Sequence, residues 1–196
     1  MRRLGILGGT FDPIHIGHLL LAQFVRERMQ LDQVLLIPAA DPPHKEAESI
    51  AAPAADRWAM VELGVAGLEG LVASRLELDR QGKSYTYDTL RQLQRDYPGA
   101  ALFLIIGADN MPLMSTWYKP REILDLCTVV AGSRLSDERP ADPLLVQRMV
   151  QIDTPVLQLS STSIRQRLEQ ELPIRYMVPE SVEAYIREQG LYWTAG

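Results

Sequence analysis

The chain has 196 residues, 46% of them hydrophobic, which suits one α/β domain with a sizeable core and excludes a disordered or low-complexity chain. Its formal charge of −5 argues against a general nucleic-acid binder, although net charge says little about a single cleft. The single cysteine, Cys127, excludes a disulfide within the chain, fits a reducing cytoplasm and reads as a small buried hydrophobe.

In chain order, MRRLGILGG is too short and too broken by glycine to be a signal peptide, and no stretch reaches the length of a membrane span. Leu4-Gly5-Ile6-Leu7 suits a buried strand that ends at Gly8-Gly9. Thr10, Phe11, Asp12 and Pro13 follow, then His15 and His18, and residues 17–29 read as an amphipathic helix. Residues 33–38 (QVLLIP) are a second buried strand. The loop 39–54 is long for a compact domain and contains Pro42-Pro43-His44-Lys45. A helix is expected over 55–65, a strand over 71–73, a polar loop over 77–86 and a helix over 87–97. Residues 101–106 (ALFLII) form the plainest buried strand, ending in Gly107-Ala108-Asp109-Asn110. A short helix over 120–126, a strand over 128–131 and a helix over 144–151 come next. Residues 156–159 read as the last strand, followed by helices to about 170 and over 179–189.

Strands alternating with helices imply a doubly wound, mostly parallel sheet. No linker divides the chain, so 1–196 reads as one domain with the helices of about 160–190 as an appended part. Ligands of such sheets bind outside the carboxyl ends of the strands. That rule gathers 8–18, 38–45, 107–109 and 160–165 along one edge, each after an expected strand.

Gly8-Gly9 is neither a dinucleotide fingerprint nor a Walker A loop, so alone it marks only a turn. His15 and His18, three residues apart, can share one side of a starting helix, with Gly17 leaving room for a ligand near the backbone. Three readings of the pair stand. One is a metal site, for which His44 is the only further histidine. Another is a pair of structural histidines. The third is a pair of phosphate donors at a helix N-terminus, where backbone N–H groups and the helix dipole favour anions. Ser160-Ser161-Thr162-Ser163 reads by default as a helix N-cap. With Arg165 one turn further on, it also reads as a second anion site.

GGTFDPIHIGH resembles the signature of the H-x-G-H nucleotidyltransferase superfamily, and Ser160-Ser161-Thr162-Ser163-Ile164-Arg165 looks like its S-S-T-x-I-R motif. Pro42-Pro43-His44-Lys45, Ile106-Gly107-Ala108-Asp109, Trp117 and Ile174-Arg175-Tyr176-Met177-Val178-Pro179 narrow the resemblance to bacterial nicotinate-mononucleotide adenylyltransferases, from Gly5 to about Tyr192. Glu171-Leu172-Pro173 departs from relatives that carry a glycine there, which bears on local turn geometry only.

The resemblance implies a Rossmann-like nucleotidyltransferase fold and adenylyl transfer from ATP, with Mg²⁺, to nicotinate mononucleotide in NAD biosynthesis. It implies catalytic roles for His15, His18, Lys45 and Arg165. The ATP site would comprise Gly8, Gly9, Thr10, Phe11, His15, His18, Gly107, Asp109, Ser161, Thr162 and Arg165. The mononucleotide site would comprise Asp12, Lys45, Tyr85, Thr86, Trp117, Tyr118 and Arg134, with Tyr85 and Thr86 beside Ser84 in the polar loop. Several of these have plainer readings: Asp12 as a turn residue, Lys45 as a solvated lysine, Asp109 as a loop cap, Trp117 as core. No protein metal site is implied, because magnesium keeps most of its waters and comes with the triphosphate. No nucleic-acid or membrane partner is implied.

Overall fold

The apolar runs become the strands of one sheet in the computed structural model, which describes residues 1–43, 50–132, 141–155 and 157–193. The strands are β1 (Arg3–Gly9), β2 (Gln33–Pro38), β3 (Leu71–Ala73), β4 (Ala101–Gly107), β5 (Thr128–Gly132) and β6 (Val150–Ile152). All adjacent pairs are parallel, in the order β3-β2-β1-β4-β5-β6. The helices are α1 (Ile16–Arg28), α2 (Ala54–Val65), α3 (Thr86–Asp96), α4 (Pro120–Leu126), α5 (Pro143–Val146), α6 (Ser161–Glu169) and α7 (Glu180–Glu188).

Both faces of the sheet are covered, which is why the strands read as continuous apolar runs. Leu7, Val34, Leu36, Phe103 and Ile105 face α1, α2, α6 and α7 in one core cluster. Leu4, Ile6, Leu35, Ile37, Leu102 and Leu104 face α3, α4 and α5 in the other. Ile164, Leu168, Val182 and Ile186 of α6 and α7 are almost fully buried, each worth about 1.5–3 kcal/mol relative to exposure. Those two helices share the core of α1 and α2. Tyr185 reaches Asp56 at 2.8 Å and Ser181 donates to the Leu63 carbonyl at 3.1 Å.

The expected strand over 156–159 is corrected: residues 157–159 lie outside any strand and the edge strand is β6, six residues earlier. The expected helix over 144–151 is shortened to α5 for the same reason. Val150, Gln151 and Ile152 pair with Val130, Ala131 and Gly132 rather than continuing the helix. The spacing of LLVQRMVQI suits a helix, yet its last three residues complete the sheet edge. Pro155 lacks the N–H that a ladder requires, which disfavours a strand just beyond it.

The register of the sheet opens the site. β1 pairs with β4 only as far as Ile6 and Leu104. Beyond that point β1 stays with β2 as far as Gly9 and Pro38, while β4 stays with β5 as far as Gly107 and Gly132. The two central strands therefore part at their carboxyl ends, where the chain order reverses direction across the sheet. Crevices at such switch points are where open α/β sheets bind ligands.

Candidate active site

A cavity of about 440 Å³ fills that crevice, within the usual size of small-molecule sites. Gly8, Gly9, Thr10, His15 and His18 line one lip, and Gly107, Asp109 and Asn110 the other. Glu77, Ser84, Tyr85, Thr86, Trp117 and Tyr118 form the far wall. The segment leading into α6 adds Thr154, Pro155, Leu157 and Leu159.

The first lip is built from the end of β1 and the start of α1. Gly8 is exposed at the end of β1, and a Cβ there would meet no protein atom within 4 Å. Packing within the protein therefore does not require that glycine. His15 caps α1 in an extended conformation, and its backbone N–H donates to His18 Nδ1 at 3.2 Å. The two imidazoles stack with centroids 3.6 Å apart. Gly17 lines the cavity too, as expected of a residue that leaves room near the backbone, and a Cβ on it would also lie 3.0 Å from His15 Nδ1, so its absence makes room for the imidazole as well. Gly107 likewise lacks a Cβ that would collide with the Asp109 carboxylate.

Asp12 and Phe11 do not line the cavity. Phe11 is buried with φ 51°, and its ring meets the edge of His18 with centroids 5.0 Å apart. Asp12 is 1% exposed. Its carboxylate accepts from the N–H groups of Ala51 (2.8 Å) and Ala52 (3.1 Å) and from the Tyr192 hydroxyl (2.8 Å). Arg57, equally buried, donates to the carbonyls of Thr10 (2.9 Å), Ala39 (2.7 Å) and Ala52 (3.3 Å). Burial lowers the guanidinium pKa and the nearby Asp12 charge opposes that shift. The same turn-and-loop junction is thus tied by an aspartate through N–H groups and by an arginine through carbonyls.

The two motif ends meet behind the lip. Ser160 and Ser163 form a reciprocal capping box at the start of α6, so the cap reading of the serines holds. Ser161 donates to the Pro13 carbonyl at 2.8 Å and Arg165 to the Asp12 carbonyl at 2.8 Å. Thr162 is exposed, 3.5 Å from the Arg165 guanidinium. Ser161, Thr162 and Arg165 stand beside the crevice rather than among its lining residues.

The far wall is built on α3. Ser84 Oγ accepts from the N–H groups of Ala40 (3.0 Å) and Asp41 (3.3 Å), fastening the exit of β2 to the start of α3. Glu77, buried in this wall, accepts from Thr89 at 2.6 Å. Burial raises its pKa against the opposing hydrogen bonds of Thr89 and Ser84. Trp117 lines the cavity and also packs on the second core cluster. Tyr118 is exposed, with its ring centroid 4.7 Å from that of Tyr85. Glu77, Arg57 and Tyr192 carry no sequence motif. Lys45, His44 and Arg134 lie outside the described residues.

Residues 6–167 match the family model described as cytidylyltransferase-like. A relative from Oceanobacillus iheyensis named "Probable nicotinate-nucleotide adenylyltransferase" is 42% identical, covering 98% of this chain and 97% of its own. One of the same name from Synechococcus sp. (strain JA-3-3Ab) is 43% identical, covering 97% and 95%. The chain belongs to the nicotinate-nucleotide adenylyltransferase family. Its fold is also that of the Plasmodium falciparum nicotinic acid mononucleotide adenylyltransferase complexed with NaAD, with a TM-score of 0.80 at 17% identity and 98% of both chains covered.

For a member of this family, the donor set bears on metal use. Among the described residues no three His, Cys, Asp or Glu side chains cluster as a metal site. Asp12, the carboxylate nearest the histidines in sequence, is engaged by two N–H groups and a hydroxyl. Half-buried Cys127, its thiol pushed up to about 12 by burial, is no thiolate ligand or nucleophile at neutral pH.

Proposed function

We propose that the chain transfers the adenylyl group of ATP to nicotinate mononucleotide, giving nicotinate adenine dinucleotide and pyrophosphate in the cytoplasm. The observation that carries this reading is the parting of β1 and β4, which sets a glycine–histidine lip and a hydroxyl- and aromatic-lined wall around one crevice. The names of the relatives supply the reaction.

The mononucleotide phosphate is already a nucleophile, so no catalytic base is needed. The protein has to bring two anions in line at the α-phosphorus and stabilise charge on the departing pyrophosphate. Gly8, Gly9 and Thr10 let the triphosphate approach the backbone at the start of α1. Because His18 Nδ1 accepts from the His15 N–H, a neutral His18 carries its proton on Nε2 and has that nitrogen as its donor. His15 stacks beneath it and sets its plane. Gly107 and Asp109 hold the adenosine side, and Arg165 supplies positive charge beside the crevice for the distal phosphates, with Thr162 next to it and Ser161 holding the Pro13 carbonyl. Tyr85, Thr86, Trp117 and Tyr118 hold the pyridine end, with the N-terminus of α3 favouring its carboxylate. Lys45 and Arg134 are further cationic partners on sequence grounds. Mg²⁺ arrives as part of the ATP substrate, keeping most of its waters. Asp12 is assigned no substrate contact; it holds the turn.

The test is a competition. ATP, Mg²⁺ and equal concentrations of nicotinate mononucleotide and nicotinamide mononucleotide are supplied, and pyrophosphate and both dinucleotides are followed. The acid should be consumed first. Equal use of the amide, or no pyrophosphate, would overturn the reading.

A further inference from the structure

The segment between the glycine turn and the histidines is held from behind by residues that come 148 to 180 positions later. Ser161 and Arg165 bond the carbonyls of Pro13 and Asp12, and the Met177 carbonyl accepts from the Ile16 N–H at 2.9 Å. These contacts fix main chain. Tyr192 differs, because its hydroxyl donates to a side chain, Asp12 Oδ1, at 2.8 Å. Desolvation beside the Asp12 carboxylate holds the phenol far above its ordinary pKa, so the hydroxyl remains a donor.

The turn needs such support. Phe11 sits in the left-handed region, a conformation that a non-glycine residue keeps only when its surroundings enforce it. Its ring touches His18 edge-on, so a shift of residues 11–12 is passed directly to an imidazole. On the other side, Ile14 is fully buried and leads into His15. Without the Tyr192 hydroxyl, Oδ1 of a buried carboxylate keeps the Ala52 N–H, at 3.1 Å. Arg165 Nη1, 3.7 Å from Oδ2, is the nearby cation toward which the carboxylate would turn.

We propose that Tyr192 is a positioning residue: its hydroxyl fixes the Asp12 carboxylate and, through Asp12 and Phe11, sets His18 against the crevice. The kinetic consequence rests on the adenylyl-transfer reading; the structural one does not. Tyr192→Phe removes one oxygen and keeps the ring. In this variant the imidazole NMR signals of His15 or His18 should shift. kcat should fall about tenfold, the scale of one lost buried hydrogen bond, with KM for both substrates within about threefold. In a cycle with Asp12→Asn the two effects on kcat should overlap rather than multiply. Unmoved imidazole signals with kcat within about twofold of the parent overturn the proposal, as does a fully multiplicative cycle. If Asp12→Asn fails to fold, the Tyr192→Phe measurements decide. If the substrate assignment itself is wrong, activity with nicotinate mononucleotide is absent in the parent too, and the imidazole shifts still decide the role of Tyr192.

Discussion

His15 donates its backbone N–H to Nδ1 of His18 while the two rings stack 3.6 Å apart, so one histidine dictates both the tautomer and the plane of the other. His18→Ala should therefore lose about 10²–10³-fold in kcat, as expected when a donor to developing charge is removed. KM for ATP should change by no more than about threefold, because the glycine turn and helix N-terminus remain. Single-turnover pyrophosphate release checks this, and a near-normal rate would remove His18 from the chemistry.

Gly8 and Gly17 both line the crevice, but only Gly17 also makes room for a protein group, the His15 imidazole. Gly8→Ala adds a methyl that meets no protein atom within 4 Å. Its unfolding midpoint should stay within about 2 °C of the parent, while KM for ATP rises about tenfold. Gly17→Ala should act on kcat instead of on KM for ATP. Alanine gains about 0.5–1 kcal/mol over glycine inside a helix, offsetting the 3.0 Å crowding of His15, so stability holds while kcat falls. Thermal melts and steady-state kinetics on both variants distinguish the two.

Arg57 joins three carbonyls beside a buried carboxylate. Arg57→Met removes the donor to three carbonyls and, among the described residues, one of the two cations near Asp12, and should cost about 3–5 kcal/mol in urea unfolding. Arg57→Lys should also destabilise, by about 2 kcal/mol, because an ammonium cannot reproduce the planar fork. A lysine variant as stable as the parent would show that charge alone matters there.

The folded state holds the Glu77 proton more tightly than the unfolded chain does, because burial raises its pKa. The parent therefore loses stability from this group as pH rises from the ordinary glutamate range through the raised value. Glu77→Gln removes that dependence. Its stability relative to the parent should improve as pH rises from about 4, the lower limit set by the unfolded glutamate pKa. Urea midpoints across that range check the sign, and a pH-independent difference would mean that Glu77 ionises as freely in the fold as in the open chain.

The sheet was legible because parallel strands covered on both faces are written as uninterrupted apolar runs. QVLLIP is β2 residue for residue, and ALFLII is β4 without its final glycine. The carboxyl-edge rule then brought the glycine turn, the two histidines and Gly107 to one crevice. It failed for 156–159, where apolar spacing mimicked a strand and only pairing with β5 could locate the edge. Arg57 in AADRWAM looks like any charged helix residue, and its burial is decided by carbonyls that the fold brings to it. Asp12 was visible as a motif residue, but its partners Ala51, Ala52 and Tyr192 are distant in sequence, so its inward orientation was not. Glu77 was read as part of a polar loop, since nothing local marks a carboxylate that Thr89 will cover.

The bond between Tyr192 and Asp12 also has a consequence for synthesis. A growing chain has emitted β1 to β6 by Ile152, yet Arg165 and Tyr192 have still to emerge. The turn that begins the chain thus spends most of translation without the partners that shape it. A ribosome-bound intermediate could carry a complete sheet and still have an unfinished phosphate lip.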